Sequence, residues 1–249
     1  MKAMIFAAGL GTRLKPFTDT KPKALFSVCG KPLLEHVIRK LIVSGFDEII
    51  VNVHHFPEQI IDFLRQNKNF GIRIEISDER EALLDTGGGI KKSRNFFDDG
   101  NPFLVHNADI LSDVDPAEFY RFHLQQDHAL ATLLVSNRTS SRYLLWDSLN
   151  KLAGWINIQT GELKSPFDDF IPDHYTRRAF GGIHVLSPAV FHYMDADDWP
   201  EKFPIIDFYL SVADRTNIFA YMPPDLHLVD VGKPENLSAA EELIRKSKK

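Results

Sequence analysis

Short apolar runs alternate with amphipathic stretches along the first half of this chain, and that alternation limits the possible folds more than any other feature. Ala3–Ala8, Glu48–Val53, Ile72–Ser77 and Pro102–His106 read as strands. Between them, Pro32–Ser44 brings Leu33, Leu34, Val37, Ile38, Leu41 and Ile42 to one helical face, and Pro57–Gln66 does the same with Ile60, Ile61 and Leu64. A β-α-β-α order predicts an α/β fold with a Rossmann-like, mostly parallel sheet flanked by helices. The second half is richer in strands, at Leu130–Val135, Arg142–Asp147, Leu152–Ile158, Phe180–Leu186 and Leu226–Val231, with a closing helix at Pro234–Arg245. It predicts a smaller, mixed β part. With no repeat or low-complexity linker, residues 1–249 read as a single domain with halves of about 1–112 and 113–249. Ser247–Lys249 is expected to fray.

The formal net charge of −5 argues against nucleic acid as a partner, because nothing offsets phosphate repulsion. A single cysteine, Cys29, excludes an intramolecular disulfide and a multi-thiolate zinc site, and fits a cytoplasmic location. No apolar run approaches the ~20 residues of a membrane span, and the first is too short for a leader core, so no membrane partner is expected.

The segment after the first strand carries the chemistry. From Gly9 through Gly11, Thr12 and Arg13 to Lys31 it runs for more than twenty residues, whereas connections in compact domains are usually about 4–6. It holds Arg13, Lys15, Lys21, Lys23 and Lys31 against one acid, Asp19. Glycines admit close approach of backbone N–H groups to phosphate oxygens, and the cations neutralise them. The competing reading is a solvated basic loop. A dinucleotide fingerprint fails because Leu14 stands at its third glycine, which disfavours an oxidoreductase, and no Gly-Lys-Ser/Thr P-loop occurs.

Two carboxylates end apolar runs: Asp109 after Phe103–Ala108, and Asp230 after Leu226–Val229. Magnesium takes one or two carboxylates and completes its shell with phosphate oxygens and water. Asp113 and Asp115 precede Pro116 and read as helix caps instead. His54 and His55 point to opposite faces of an extended chain, and His106 and His227 point away from the aspartates three residues on, so a histidine metal site is disfavoured. Cys29 reads as an inert small residue.

Ala7-Ala8-Gly9-x-Gly11-Thr12-Arg13-x-x-Pro16 followed by Pro22-Lys23 resembles the signature of the sugar-nucleotide pyrophosphorylase family. The resemblance implies a nucleotide-diphospho-sugar transferase-like fold, with a nucleotide half and a sugar half. It implies that Ala8, Gly9, Gly11 and Thr12 wrap a nucleoside triphosphate. Arg13 and Lys23 match the family's catalytic pair, and Asp109 and Asp230 its Mg²⁺ ligands. Thr86-Gly87-Gly88-Gly89 matches a loop that contacts the base, so Gly87 and Gly88 are expected to bind nucleotide. That loop looks most like the one in members acting on N-acetylmuramate 1-phosphate with UTP. Asn107 and Gly182 match the sugar-phosphate side. Many relatives hold the sugar with Glu-Lys-Pro, whereas Glu162-Leu163-Lys164-Ser165-Pro166 stands here, so the sugar stays open.

The implied reaction joins a sugar 1-phosphate to a nucleoside triphosphate and releases pyrophosphate. Guanylyl transfer to mannose 1-phosphate and a non-catalytic nucleotide-binding regulatory subunit are the alternatives. A monomer or small homo-oligomer is expected, since no hexapeptide-repeat tail follows Asp230.

Overall fold

The computed structural model describes residues 1–16 and 18–246; Phe17 and the Ser247–Lys249 tail lie outside the described residues. The chain begins with β1 (Lys2–Phe6), a small hairpin of β2 (Ser27–Val28) and β3 (Lys31–Pro32), α1 (Leu33–Val43), β4 (Glu48–Val53), α2 (Pro57–Gln66) and β5 (Arg73–Asp78). Next come α3 (Asp85–Lys92), β6 (Phe103–Asn107), β7 (Ile110–Ser112), α4 (Pro116–Gln125), β8 (Ala129–Ser136), β9 (Arg142–Trp146), β10 (Leu152–Asn157) and β11 (Leu163–Lys164). The last elements are β12 (Thr176–Leu186), α5 (Ala189–Ala196), α6 (Ile205–Val212), β13 (Asn217–Tyr221), β14 (Leu228–Asp230) and α7 (Leu237–Lys246). No helix among the described residues is long and apolar enough to cross a membrane.

Two compact units form from separated stretches of chain. The first takes Met1–Leu83, Leu104–Glu118 and Asp225–Lys249. In it β6, β1, β4 and β5 pair in that order, all parallel, with Ile5 between Val51 and His106. The apolar runs of β1 and β4 are buried almost throughout, as expected of parallel strands covered on both faces. α1 buries Leu33, Leu34, Val37, Ile38 and Leu41, the stripe read from the sequence, and Pro32 precedes its first turn. A second core under the hairpin joins Val28, Leu33, Leu111, Val231, Ala240, Leu243 and Ile244. Burial of each such side chain stabilises by about 1.5–3 kcal/mol, and this core fixes β7 and β14 against α7.

The second unit takes Leu84–Phe103 and Phe119–Pro224. Its sheet order is β11-β10-β9-β12-β8-β13, antiparallel except for the parallel β13–β8 pair. This is the mixed β part, but it is as large as the first unit rather than smaller. The sequence reading missed β13, whose Asn217–Tyr221 run is too short and too mixed to stand out. It also missed α5 and α6, which are nearly apolar all round on their buried segments. Gly182 lies where the β12–β8 register shifts between Phe180 and His184, and its φ of 72° is one a side chain would strain.

Candidate active site

The long basic segment is ordered by short turns rather than left as an open loop. Thr12–Leu14 and Lys23–Leu25 each form one 3-10 turn, and Lys31 belongs to β3. Gly11 has a φ of 64°, and a Cβ there would meet Thr18 Cγ2 at 2.8 Å and Lys23 Cβ at 3.0 Å. Only glycine fits. Thr18, which the sequence reading passed over, donates its hydroxyl to the Gly11 carbonyl at 2.8 Å and pins the turn. Two of the cations have local acids: Lys15 lies 3.3 Å from Asp19, and Lys31 lies 3.2 Å from Glu35.

The first residues of this segment are held from beneath. Asn52 of β4 accepts the N–H groups of Ala7 and Ala8 at 2.7 and 3.2 Å and donates to Glu79 Oε1 at 2.9 Å. Both Asn52 and Glu79 are buried. The N–H of Ala8 is therefore taken, and Gly9 beyond it is exposed, with no non-neighbouring atom of the described residues within 4 Å of where a Cβ would stand. Asn52 sits inside an otherwise apolar run, and a polar residue at a buried strand position was the signal available in the sequence.

Arg13, Lys23, Asp109 and Asp230 meet within this one unit. β14 pairs with β7 antiparallel, with Asp230 opposite Ile110, and Val231 N–H donates to the Asp109 carbonyl at 2.8 Å. The β7–β14 pairing thus brings two residues far apart in the chain to one spot. Lys23 Nζ contacts Asp109 Oδ2, with the lysine side chain largely buried. Arg13 Nη2 lies 4.0 Å from Asp230 Oδ2. Asp230 is steadied on two sides: its Oδ1 accepts Gly232 N–H at 2.7 Å, and Asn236 Nδ2 donates to its carbonyl at 2.7 Å.

Gly232 marks the centre of the cluster. A Cβ there would stand 2.6 Å from Asp230 Oδ1, 2.9 Å from Arg13 Nη2 and 3.0 Å from Lys23 Nζ. Two cations and a carboxylate crowd one missing side chain. Both carboxylates remain partly open, at 24% and 28% side-chain exposure for Asp109 and Asp230, which leaves room for a ligand. Their hard oxygen donors suit a divalent cation. Among the described residues no group of three or more metal-binding side chains forms, so two carboxylates must rely on ligand oxygens and water, as magnesium sites commonly do.

Asn107 ends β6 beside Phe6, and its carbonyl accepts the Nδ1 proton of His106 at 2.8 Å. Burial pushes the His106 imidazole down to about 4, with a further push from the Lys40 ammonium. Asp115 caps α4, accepting Ala117 and Glu118 N–H at 2.8 and 3.3 Å. Asp113 does not cap it. Its two oxygens take His227 N–H and ring Nδ1 at 2.9 and 2.8 Å.

In the other unit, the triple glycine lies inside α3 rather than ahead of it, and all three residues are buried. A Cβ on Gly87 would fall 2.2 Å from the Phe203 ring, and one on Gly88 2.0 Å from the Glu201 carbonyl. Gly87 N–H donates to Phe203 O at 2.8 Å. Here the bare backbone is covered by the unit's own packing.

Comparisons with known proteins bear on the family and the fold. The nucleotidyl transferase family profile matches residues 2–145. The chain is 42% identical over 139 residues to the N-acetylmuramate alpha-1-phosphate uridylyltransferase of Neisseria meningitidis serogroup B, covering 55% of this chain and 60% of that protein. It is 38% identical over 232 residues to a mannose-1-phosphate guanyltransferase of Hypocrea jecorina, covering 85% of this chain and 60% of that protein. The chain thus spans about 60% of the length of the curated relatives it matches. The solved inositol-1-phosphate CTP transferase of T. maritima superposes with a TM-score of 0.76 over 100% of this chain and 96% of that one, at 16% identity. That likeness establishes the fold alone. With the profile covering more than half of its residues, the chain belongs to the nucleotidyl transferase family.

Proposed function

We propose that this chain is a sugar-1-phosphate nucleotidyltransferase, joining a sugar 1-phosphate to a nucleoside triphosphate with release of pyrophosphate. The observation that carries the reading is the crowding of Arg13, Lys23 and Asp230 around Gly232, with Asp109 on Lys23. A sugar phosphate is already an anion, so attack on the α-phosphorus needs no strong base. Catalysis then rests on alignment and on neutralising charge that builds in the transition state.

In this reading Asp109 and Asp230 hold Mg²⁺, which spreads phosphate charge when bound. Lys23 neutralises the phosphoryl oxygens at the reacting centre, moving off Asp109 as it does so. Arg13, longer and more exposed, takes the leaving pyrophosphate with both arms of its guanidinium. The exposed backbone from Gly9 through Thr12 receives the rest of the triphosphate, and Asn107 faces the sugar phosphate. Gly87, Gly88 and Gly182 have packing or bulge roles sufficient to account for them, and the reaction as written needs nothing further from them.

For substrates we favour UTP with N-acetylmuramate 1-phosphate, because the chain is 42% identical over 139 residues to the Neisseria uridylyltransferase. GTP with mannose 1-phosphate is the second reading, supported by the longer alignment to the Hypocrea protein. Pyrophosphate release should be measured with each of four triphosphates against both sugar phosphates. Turnover confined to UTP with the muramate ester supports the first pairing, and turnover confined to GTP with mannose 1-phosphate supports the second. No release with any pair, from protein that binds Mg·UTP, would point to a regulatory subunit.

A further inference from the structure

A cavity of about 860 Å³ opens in the first unit between α1, α7 and the stretch from Ile110 to Ala117. Its walls are largely apolar, with Val37, Ile110, Leu111, Leu243 and Ile244 among them. Three polar groups set into those walls lack the partners such groups normally find. Lys40 Nζ contacts the Ser112 carbonyl, and among the described residues no carboxylate lies within ion-pair distance of it. Burial holds its ammonium down to about 8, against the pull of Asp113 and Asp115. The Ser112 hydroxyl oxygen is fully covered and, among the described residues, has no hydrogen-bond partner. His106 spends Nδ1 on the Asn107 carbonyl, so the neutral ring presents Nε2 as an unpaired acceptor.

The other charged groups lining the cavity are already engaged. Asp113 holds His227, Asp115 caps α4, Arg39 pairs with Glu35 at 2.7 Å, and His36 Nε2 bonds the Val28 carbonyl at 2.9 Å. The unmet demand is therefore one anion for Lys40 and one donor for His106. Buried polar groups left without partners cost free energy that a complementary ligand recovers.

We propose that this cavity binds a small hydroxycarboxylic acid with an apolar body. Its carboxylate lies on Lys40 and its hydroxyl donates to His106 Nε2. The apolar remainder fills the space beside Leu243 and Ile244. This site is separate from the Arg13–Asp230 cluster, but β7 joins them. Ile110 is paired with Asp230 and Ser112 lies two residues on, so, on the proposed function, an occupant presses on the strand that pairs with β14 beside the two aspartates.

Mandelate and phenylacetate differ by the one hydroxyl, and inorganic phosphate lacks the apolar body. Each is titrated into the ¹⁵N-labelled 249-residue chain while the amides of Lys40, His106 and Ser112 are followed. Mandelate is expected to shift all three saturably and to bind about tenfold more tightly than phenylacetate, with phosphate shifting none. Lys40→Met should abolish mandelate binding while keeping the wild-type circular dichroism. If that variant does not fold, the wild-type titration decides alone. Equal affinity for the two acids, binding of phosphate, unchanged binding by folded Lys40→Met, or no saturable shift with mandelate at 20 mM would each overturn the proposal.

Discussion

Two regions of this molecule use glycine for opposite ends. At the candidate site two missing side chains leave functional groups room: Gly9 of the N-terminal segment has nothing within 4 Å, and Gly232, just after β14, is ringed by the ends of Arg13, Lys23 and Asp230. In α3 the missing side chains are filled, Gly87 by the Phe203 ring and Gly88 by the Glu201 carbonyl. A glycine run in a sequence marks a close approach without saying what approaches. The neighbour's nature, flexible charged tips in one case and rigid ring and backbone in the other, decides between chemistry and packing.

The largest effect expected from this contrast is on rate. Lys23→Ala removes the cation that both fills the space beside Gly232 and touches Asp109. Pyrophosphate release should fall about 10²–10³-fold, measured on protein with wild-type circular dichroism. Near-full turnover would reduce the cluster to a structural ion pair.

Next in size is a stability effect that sharpens the comparison. Gly87→Ala drives a methyl into the Phe203 ring and should cost roughly 1–3 kcal/mol, read from urea unfolding. Gly9→Ala, at an open and exposed position, should stay within about 0.5 kcal/mol. Gly232→Ala falls between them in stability, because its three neighbours can swing aside. It should nonetheless slow the reaction far more than Gly87→Ala does per folded molecule. Equal stability losses at 9 and 87 would break the distinction.

A buried histidine in each unit tests the two regions in another way. His106 and His123 are both held down to about 4 by burial, below the ordinary 6.5. The unfolded chain binds those protons first, so stability is full above about 6.5 and is lost as pH falls toward 4, by up to roughly 3 kcal/mol for each group. Replacing either histidine with glutamine should flatten part of that slope in unfolding curves between pH 4 and 7. An unchanged slope in both variants would contradict the burial argument. The smallest effect belongs to the exposed Lys15–Asp19 pair, where Lys15→Ala should change stability by less than about 0.5 kcal/mol.

The parts of the fold that were legible in the sequence are those with a clean period. β4 and α2 fall at the predicted bounds because Glu48–Val53 and Pro57–Gln66 carry unbroken patterns and a proline start. β7 and β14 are three residues each, and only their pairing places Asp109 next to Asp230, a non-local fact that no window of sequence contains. Arg13, Lys23 and both aspartates were legible by residue type and motif. The supports were less so. Asn52 showed only as a polar residue in an apolar run, Thr18 acts on Gly11 through a local turn that no motif marks, Gly232 acts through Arg13 and Lys23 near the other end of the chain, and α3 is helical despite three glycines because the 201–203 segment packs against it. Asp113 was misread as a cap because its partner, His227, is 114 residues away.

The central claim is that Arg13, Lys23, Asp109 and Asp230 form one polyphosphate and metal site. Calorimetric titration of UTP into the wild-type protein and Asp230→Asn, with and without Mg²⁺, tests it most directly. The account predicts that Mg²⁺ strengthens UTP binding to the wild type at least tenfold and that this gain disappears in the variant. Mg²⁺-independent binding of equal strength in both proteins would contradict it.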